Sequence, residues 1–177
     1  MNVRAERPED RAAVRAVNLA AFDTAAEANL VDALRDQARP IISLVAEVDA
    51  RVIGHIIFSP VTMDGHPELR LMGLAPMAVS PKHQNRGIGT ALVRAGLQRC
   101  GELGFAAVVV LGHPAYYPRF GFQSSVRFGI TCEYDAPAEA FMVVELQPGC
   151  LHGATGTARY HEAFRDVWPL GRLASIE

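Results

Sequence analysis

Val79-Ser80-Pro81-Lys82-His83-Gln84-Asn85-Arg86-Gly87-Ile88-Gly89-Thr90 is the stretch that decides the fold. It follows Leu71 to Val79, an almost wholly apolar run that reads as a strand covered on both faces. It opens into a helical pattern in which Ile88, Leu92, Ala95 and Leu103 fall on or near one face, punctuated by Gly101 and Gly104. The first amides of a helix lack intrahelical partners and point at whatever anion sits there. Gly87 and Gly89 have no side chain to hold a diphosphate away, and Lys82 and Arg86 add positive charge beside it. The GKS or GKT ending of an ATP-binding loop is missing, as is the GxGxxG dinucleotide spacing. A plain helix-entry turn is the competing reading of the two glycines.

On the N-terminal side, Asn2 to Ala5 reads as a first strand. Pro8, Glu9 and Asp10 then suit the start of a helix over 8–21, with Val14, Val17 and Ala21 on its apolar face. Thr24 stands at the head of a second helix with Glu27 three residues on, a capping-box spacing, and Leu30, Val31 and Leu34 make its buried stripe. Ile42, Leu44, Ala46 and Val48 alternate as a half-buried strand should, and Val52 to Val61 supplies the next. Pro76 inside the following apolar run cannot donate a ladder hydrogen bond, which predicts a bulge or splay nearby.

On the C-terminal side, Phe105 to Leu111 is a short valine-rich buried strand, and further strands are expected over 126–134 and 141–147. From Pro148 the chain loosens around Gly149, Gly153 and Gly156, and residues 160–164 suit a short helix. The whole reads as one domain over 1–147, with 148–177 an extension packed on or near it. Helices mixed with hairpins and one strand-helix-strand crossover give an α/β (α+β) fold, a mixed central sheet flanked by helices.

Composition narrows the function. The 177 residues are half hydrophobic and one fifth charged, an ordinary globular balance that needs no disulfide or metal to hold a core. The net charge of −2 lacks the basic excess of a general nucleic-acid binder, so no nucleic-acid partner is expected. No apolar run reaches the roughly 18 residues of a membrane span, and the polar first ten residues lack an export core. Cys100, Cys132 and Cys150 therefore read as reduced thiols of a cytoplasmic protein. The histidines have no HxxxH or CxxC companion, so no metal site is expected.

Gln84-x-x-Gly87-x-Gly89 after a hydrophobic strand resembles the acetyl-CoA signature Q/R-x-x-G-x-G/A of the GNAT (GCN5-related N-acetyltransferase) superfamily. Tyr117-Pro118-Arg119-Phe120-Gly121-Phe122 resembles its Y-x-x-x-G-F segment. Residues 111–117 are also similar to a bacterial subgroup of predicted N-acetyltransferases with a GxPxYYxRFGF segment. The resemblance implies a GNAT fold that binds acetyl-CoA as co-substrate and moves its acetyl group to the primary amine of a small molecule or peptide by direct attack in a ternary complex. It further implies that Met77, Ala78 and Val79 pair with the pantetheine arm and hold the thioester carbonyl. Gln84, Asn85, Arg86, Gly87, Ile88, Gly89 and Thr90 would wrap the diphosphate.

Acetyl transfer from a thioester needs a neutral amine, a polarised carbonyl and a protonated leaving thiolate. Tyr117 sits in the family register for the acid; a buried tyrosine bonded to backbone is its bland alternative. Many family members carry an acid on the strand before the phosphate loop, and Leu74 to Val79 holds none. Glu27 is the substitute base, with the capping box as its structural reading. His113 is either a proton relay or an inert loop residue. An acceptor with an α-amine, of pKa near 8, would need no base at all. Where the family often has an Asn after its second core strand, Gly112 and His113 stand. His55 reads as a satisfied half-buried histidine. Phe164 and Trp168 either cap the acceptor cleft or pack in a homodimer, the latter being preferred. A non-catalytic acyl-CoA sensor on the same fold, or an enzyme using a longer acyl donor, are the alternatives.

Overall fold

Strand alternation builds two apolar layers, one on each side of the central sheet. In a computed structural model describing residues 1–168, β1 (Asn2–Ala5), β2 (Ile42–Val48), β3 (Arg51–Met63), β4 (Leu71–Val79) and β5 (Ala107–Leu111) lie side by side in that order. The path continues into β8 (Phe141–Glu145) and the two-residue β6 (Gln123–Ser124). Two short strands, β7 (Ile130–Cys132) and β9 (Gly156–Arg159), branch from the far end of β3. The helices are α1 (Arg11–Ala21), α2 (Ala26–Gln37) and α3 (Ile88–Glu102). This is the expected mixed α/β sheet flanked by helices.

Period two along each strand assigns side chains to the layers. Ile42, Leu44, Ile56, Phe58, Val108 and Val110 belong to the layer under α3, with Leu92 and Val93. Val45, Ile57, Val109 and Leu111 belong to the opposite layer, with Val14 of α1, Leu30 and Leu34 of α2, and Phe164 and Trp168. Strand β5 is apolar throughout because both its faces are covered, as expected of a central strand.

The pair β4–β5 is parallel and short. Only Leu71–Ala107, Met72–Val108 and Gly73–Val109 are matched. Beyond them β5 stays with β8 and β4 stays with β3, so the sheet opens like a V. Pro76 lies on the open arm. Between the Ile56–Met77 and Phe58–Leu74 pairs, β4 carries Ala75 and Pro76 where β3 carries only Ile57, the bulge expected of a residue with no N–H to donate. The Tyr160 ring plugs the apex: a Cβ on Gly73 would lie 2.7 Å from its Cε1.

Several expectations are corrected. The first turn of the 8–21 helix is a separate 3-10 turn, Pro8–Asp10, because the Asp10 carboxylate accepts the Arg7 N–H at 2.8 Å and pairs with Arg4 at 2.6 Å. Thr24 and Glu27 form no capping box. The α2 N-cap is Ala25, the Thr24 hydroxyl accepts only the Ala26 N–H, and Glu27 is buried. The strand expected over 126–134 is a 3-10 turn, Ser125–Phe128, then left-handed Gly129, then the three residues of β7. The helix at 160–164 is a 3-10 turn, Glu162–Asp166. Phe164 and Trp168 are buried in their own chain, at 0% and 8% exposure, which removes them from any dimer surface.

His55 is not half-buried but wholly enclosed. Its Nδ1 accepts from the Asn18 amide at 3.3 Å, and its Nε2–H donates to the Ser43 hydroxyl at 2.9 Å, which in turn donates to Glu6. Asn18 also donates to the Val14 carbonyl, which fixes the direction of this chain of bonds. Glu6 is held on its other side by Arg35. The network ties α1, α2, β2 and β3 together beneath the helical pair.

Burial first, and the nearby Arg35 charge second, lower the His55 pKa to about 3. An unfolded chain protonates this ring near 6.5, so the unfolded state binds the extra proton between those values. Stability from a neutral His55 is full above about pH 6.5 and is lost as pH falls toward 3. The expected outcome is a Tm that drops between pH 7 and 5, with His55→Gln showing a shallower slope; one proton limits the difference to about 1.4 kcal/mol per pH unit. Asp10, lowered to about 2 chiefly by its Arg4 hydrogen bonds, acts only below about pH 4. Packing gives a second test. Gly96 of α3 rides on the Phe58 ring, and a Cβ there would lie 2.2 Å from Phe58 Cε2. Gly96→Ala should therefore destabilise by about 1–2 kcal/mol despite the better helix propensity of alanine, read as a lower midpoint in denaturant.

Candidate active site

The open V and the start of α3 enclose a cleft of about 750 Å³. Met77, Ala78 and Val79 form the β4 wall; Gln84, Asn85, Gly87, Ile88, Gly89 and Thr90 form the floor. The loop is shaped for this. Asn85 and Gly87 take left-handed backbone angles, φ +58° and +79°, which turn the chain sharply into α3. The Gln84 amide donates back to the Val79 carbonyl at 3.1 Å and braces the loop. No side chain caps α3, and its ladder begins only with Ala91 N–H to Gly87 O at 3.0 Å. The amides of Ile88, Gly89 and Thr90 are left for a ligand. With the macrodipole behind them they favour an anion.

The opposite wall comes from the loop after β5: His113, Ala115, Tyr116, Tyr117 and Arg119. Tyr116 leans across to α3, so close that a Cβ on Gly89 would lie 2.9 Å from its hydroxyl oxygen. Arg119 stacks on the Tyr116 ring, 4.6 Å from its centroid, and brings positive charge to the rim. Tyr117 begins a 3-10 turn, Tyr117–Phe120, that ends in left-handed Gly121. Its ring is wedged edge-on between Tyr116 and Phe122, at 5.1 and 5.6 Å. It lies flat against the end of β5, where a Cβ on Gly112 would reach within 2.5 Å of Cε2. Burial, with a smaller contribution from Tyr116, pushes the Tyr117 pKa well above the ordinary phenol value, so the hydroxyl holds its proton at any physiological pH.

Tyr117 and Met77 also border a second, smaller hollow of about 30 Å³, on the α1–α2 side of β4. Glu27 enters it from the first turn of α2. Its Oε2 is buried and has no hydrogen-bond partner among the described residues. The remaining walls are apolar, among them Phe22, Leu30, Pro76 and Trp168.

The fold thus gathers Tyr117, Met77, Ala78, Val79, Gln84, Asn85, Gly87, Ile88, Gly89 and Thr90 around one cleft, and Glu27 beside Tyr117 around the adjoining hollow. Arg86 is the exception: it is exposed on the loop and not part of the cleft lining. Sequence reasoning missed Arg119 and Phe22. Arg119 carried a signal, a cation two residues from Tyr117 in the same motif. Phe22 carried none of its own, since its place rests on contacts distant along the chain. Among the described residues no group of three or more His, Cys, Asp or Glu side chains could hold a metal ion, and no helix is long and apolar enough to cross a membrane.

Known proteins share this fold. Residues 11–122 match the acetyltransferase (GNAT) family. The chain is 40% identical over 165 residues to an uncharacterized N-acetyltransferase of Escherichia coli K12, YhbS, covering 93% of this chain and 98% of that one. The crystal structure of Escherichia coli YhbS in complex with CoA superimposes with a TM-score of 0.88 at 39% identity, covering 93% of this chain and 91% of the other. A GNAT family acetyltransferase from Brucella melitensis in complex with acetyl-CoA follows with a TM-score of 0.76 at 37% identity, covering 92% and 97%. The family match spans the open V, the phosphate-type loop and the Tyr117 segment together, and the chain belongs to the GNAT family of acetyltransferases.

Proposed function

We propose that this acetyltransferase binds acetyl-CoA in the V-shaped cleft and passes its acetyl group directly to a primary amine held beside Glu27. The observation that carries the reading is the convergence of three features on one cleft: the unpaired edge of β4, the uncapped start of α3 and the buried ring of Tyr117. Two relatives that share the fold at more than a third identity are complexed with CoA and acetyl-CoA.

In this reading the diphosphate sits on the amides of residues 88–90, and the pantetheine arm pairs with the edge of β4 that β5 has vacated. A β4 amide donates to the thioester oxygen, where negative charge develops in the transition state. The amine lone pair attacks the carbonyl carbon. An acceptor that arrives as an ammonium first gives one proton to Glu27; the C–N bond then forms, the C–S bond breaks, the departing sulfur takes the Tyr117 proton, and the second nitrogen proton returns to the Tyr117 oxygen. The raised Tyr117 pKa would make its proton transfer costly to a thiolate in water, with its pKa near 8.5. Inside the cleft the thiolate is desolvated too, which raises its own pKa and narrows the gap. Residues 148–168 belong to the same unit in this reading, since β9 pairs with β3 and Trp168 walls the hollow. Cys100, Cys132 and Cys150 are all unpaired, which suits a cytoplasmic enzyme.

Tyr117→Phe should lower kcat ten-fold or more while leaving the thermal shift by acetyl-CoA unchanged; equal turnover in both proteins removes the acid from Tyr117. Glu27→Gln should lower kcat/KM for an alkylamine, whose pKa lies near 10, by at least ten-fold at pH 7. That deficit should shrink toward pH 10, as the amine sheds its proton unaided. A deficit constant across the profile assigns Glu27 a purely structural part.

A further inference from the structure

We infer that the acceptor is a primary amine carried on an uncharged apolar body, of the alkylamine or arylalkylamine class, and that the hollow between Glu27 and Trp168 receives it. This rests on the reading of the cleft given above, and it goes further by naming the substrate class.

Two independent features point there. The first is the chemistry of the walls. Phe22, Leu30, Pro76, Val167 and Trp168 offer no polar side-chain atom except the indole N–H. Among the described lining residues only Glu27 and Tyr117 can ionise, and Tyr117 holds its proton. The second is the unpartnered Oε2 of Glu27. Glu27 is 9% exposed, and this oxygen is buried and unbonded among the described residues. A buried polar atom is normally paired, and an ammonium or amine N–H supplies the missing donor.

One acid can balance one cation. A substrate with a second ammonium would bury that charge among aromatic and aliphatic groups without a partner. A substrate with a carboxylate would bring a second negative charge beside Glu27. Arg119, His83 and His113, cationic or titratable groups of this region, line the large cleft and not this hollow. Both polar classes are therefore disfavoured by desolvation, whereas an apolar body gains contact area. The space of about 30 Å³ is that of about one water molecule, so the walls must part to admit the body. Phe22 is suited to do so: it follows the last turn of α1 in extended backbone, is half-buried, and borders both the hollow and the cleft.

The test compares three acceptors with the same six-carbon chain: hexylamine, 6-aminohexanoate and 1,6-diaminohexane. Thiol release from acetyl-CoA by the full chain gives kcat/KM for each, and the thermal shift by acetyl-CoA is recorded alongside. Hexylamine is expected to exceed both others by ten-fold or more. Phe22→Asp, which places a second acid at the mouth, is expected to raise 1,6-diaminohexane relative to hexylamine. Equal rates for the three acceptors, a preference for either charged one, or thiol release with none of them overturns the inference while the acetyl-CoA shift leaves donor binding standing. Absence of that shift overturns the donor-site reading itself.

Discussion

The early end of hydrogen bonding between β4 and β5 is the constraint on which the rest of the molecule depends. Three matched pairs hold the strands together, and after Gly73 and Val109 each keeps a single neighbour. A buried strand edge left unpaired is costly, because its amides and carbonyls lose water without gaining partners. Here that edge faces a cleft instead of the core. An extended ligand arm with its own amide groups meets the same requirement that a strand would have met. The opening is maintained from both sides: Tyr160 fills the apex, and the Ala75–Pro76 bulge turns the free arm away.

The glycines of the region follow from the same economy of space. Gly87 is needed for its backbone angle and Gly89 for its bareness, the latter because Tyr116 reaches across to α3. Gly112 follows β5, and its lack of a side chain is what lets Tyr117 lie against the end of that strand. Strand β4 itself carries no acid, and Glu27 of α2 lines the adjoining hollow.

The sequence made the central elements legible because their burial is extreme. Leu71–Val79 and Ala107–Leu111 are covered on both faces, and that leaves a continuous apolar run with few other readings. The loop from Gln84 to Thr90 was legible through its two glycines and its place between strand and helix. What stayed hidden depends on contacts distant along the chain. Strand β9 lies in a glycine-rich stretch with little strand propensity and exists by pairing with Thr62 and Met63, far upstream. Glu27 carried two readings because a Thr three residues before a Glu is compatible with a cap; the helix begins later than that motif requires, and the side chain is released toward the hollow. Phe164 and Trp168 looked like a sticky surface because nothing local marks which aromatic residues a chain will cover itself.

The position of those aromatic residues along the chain has a further meaning. Tyr160, Val167 and Trp168 come after every strand of the central sheet and all three helices. During synthesis the wall beneath β4 emerges after the sheet and the helices it packs against. A nascent chain can assemble its loop and sheet while the chamber next to Glu27 still lies open to solvent, and closure waits for residues 160–168 to fold back.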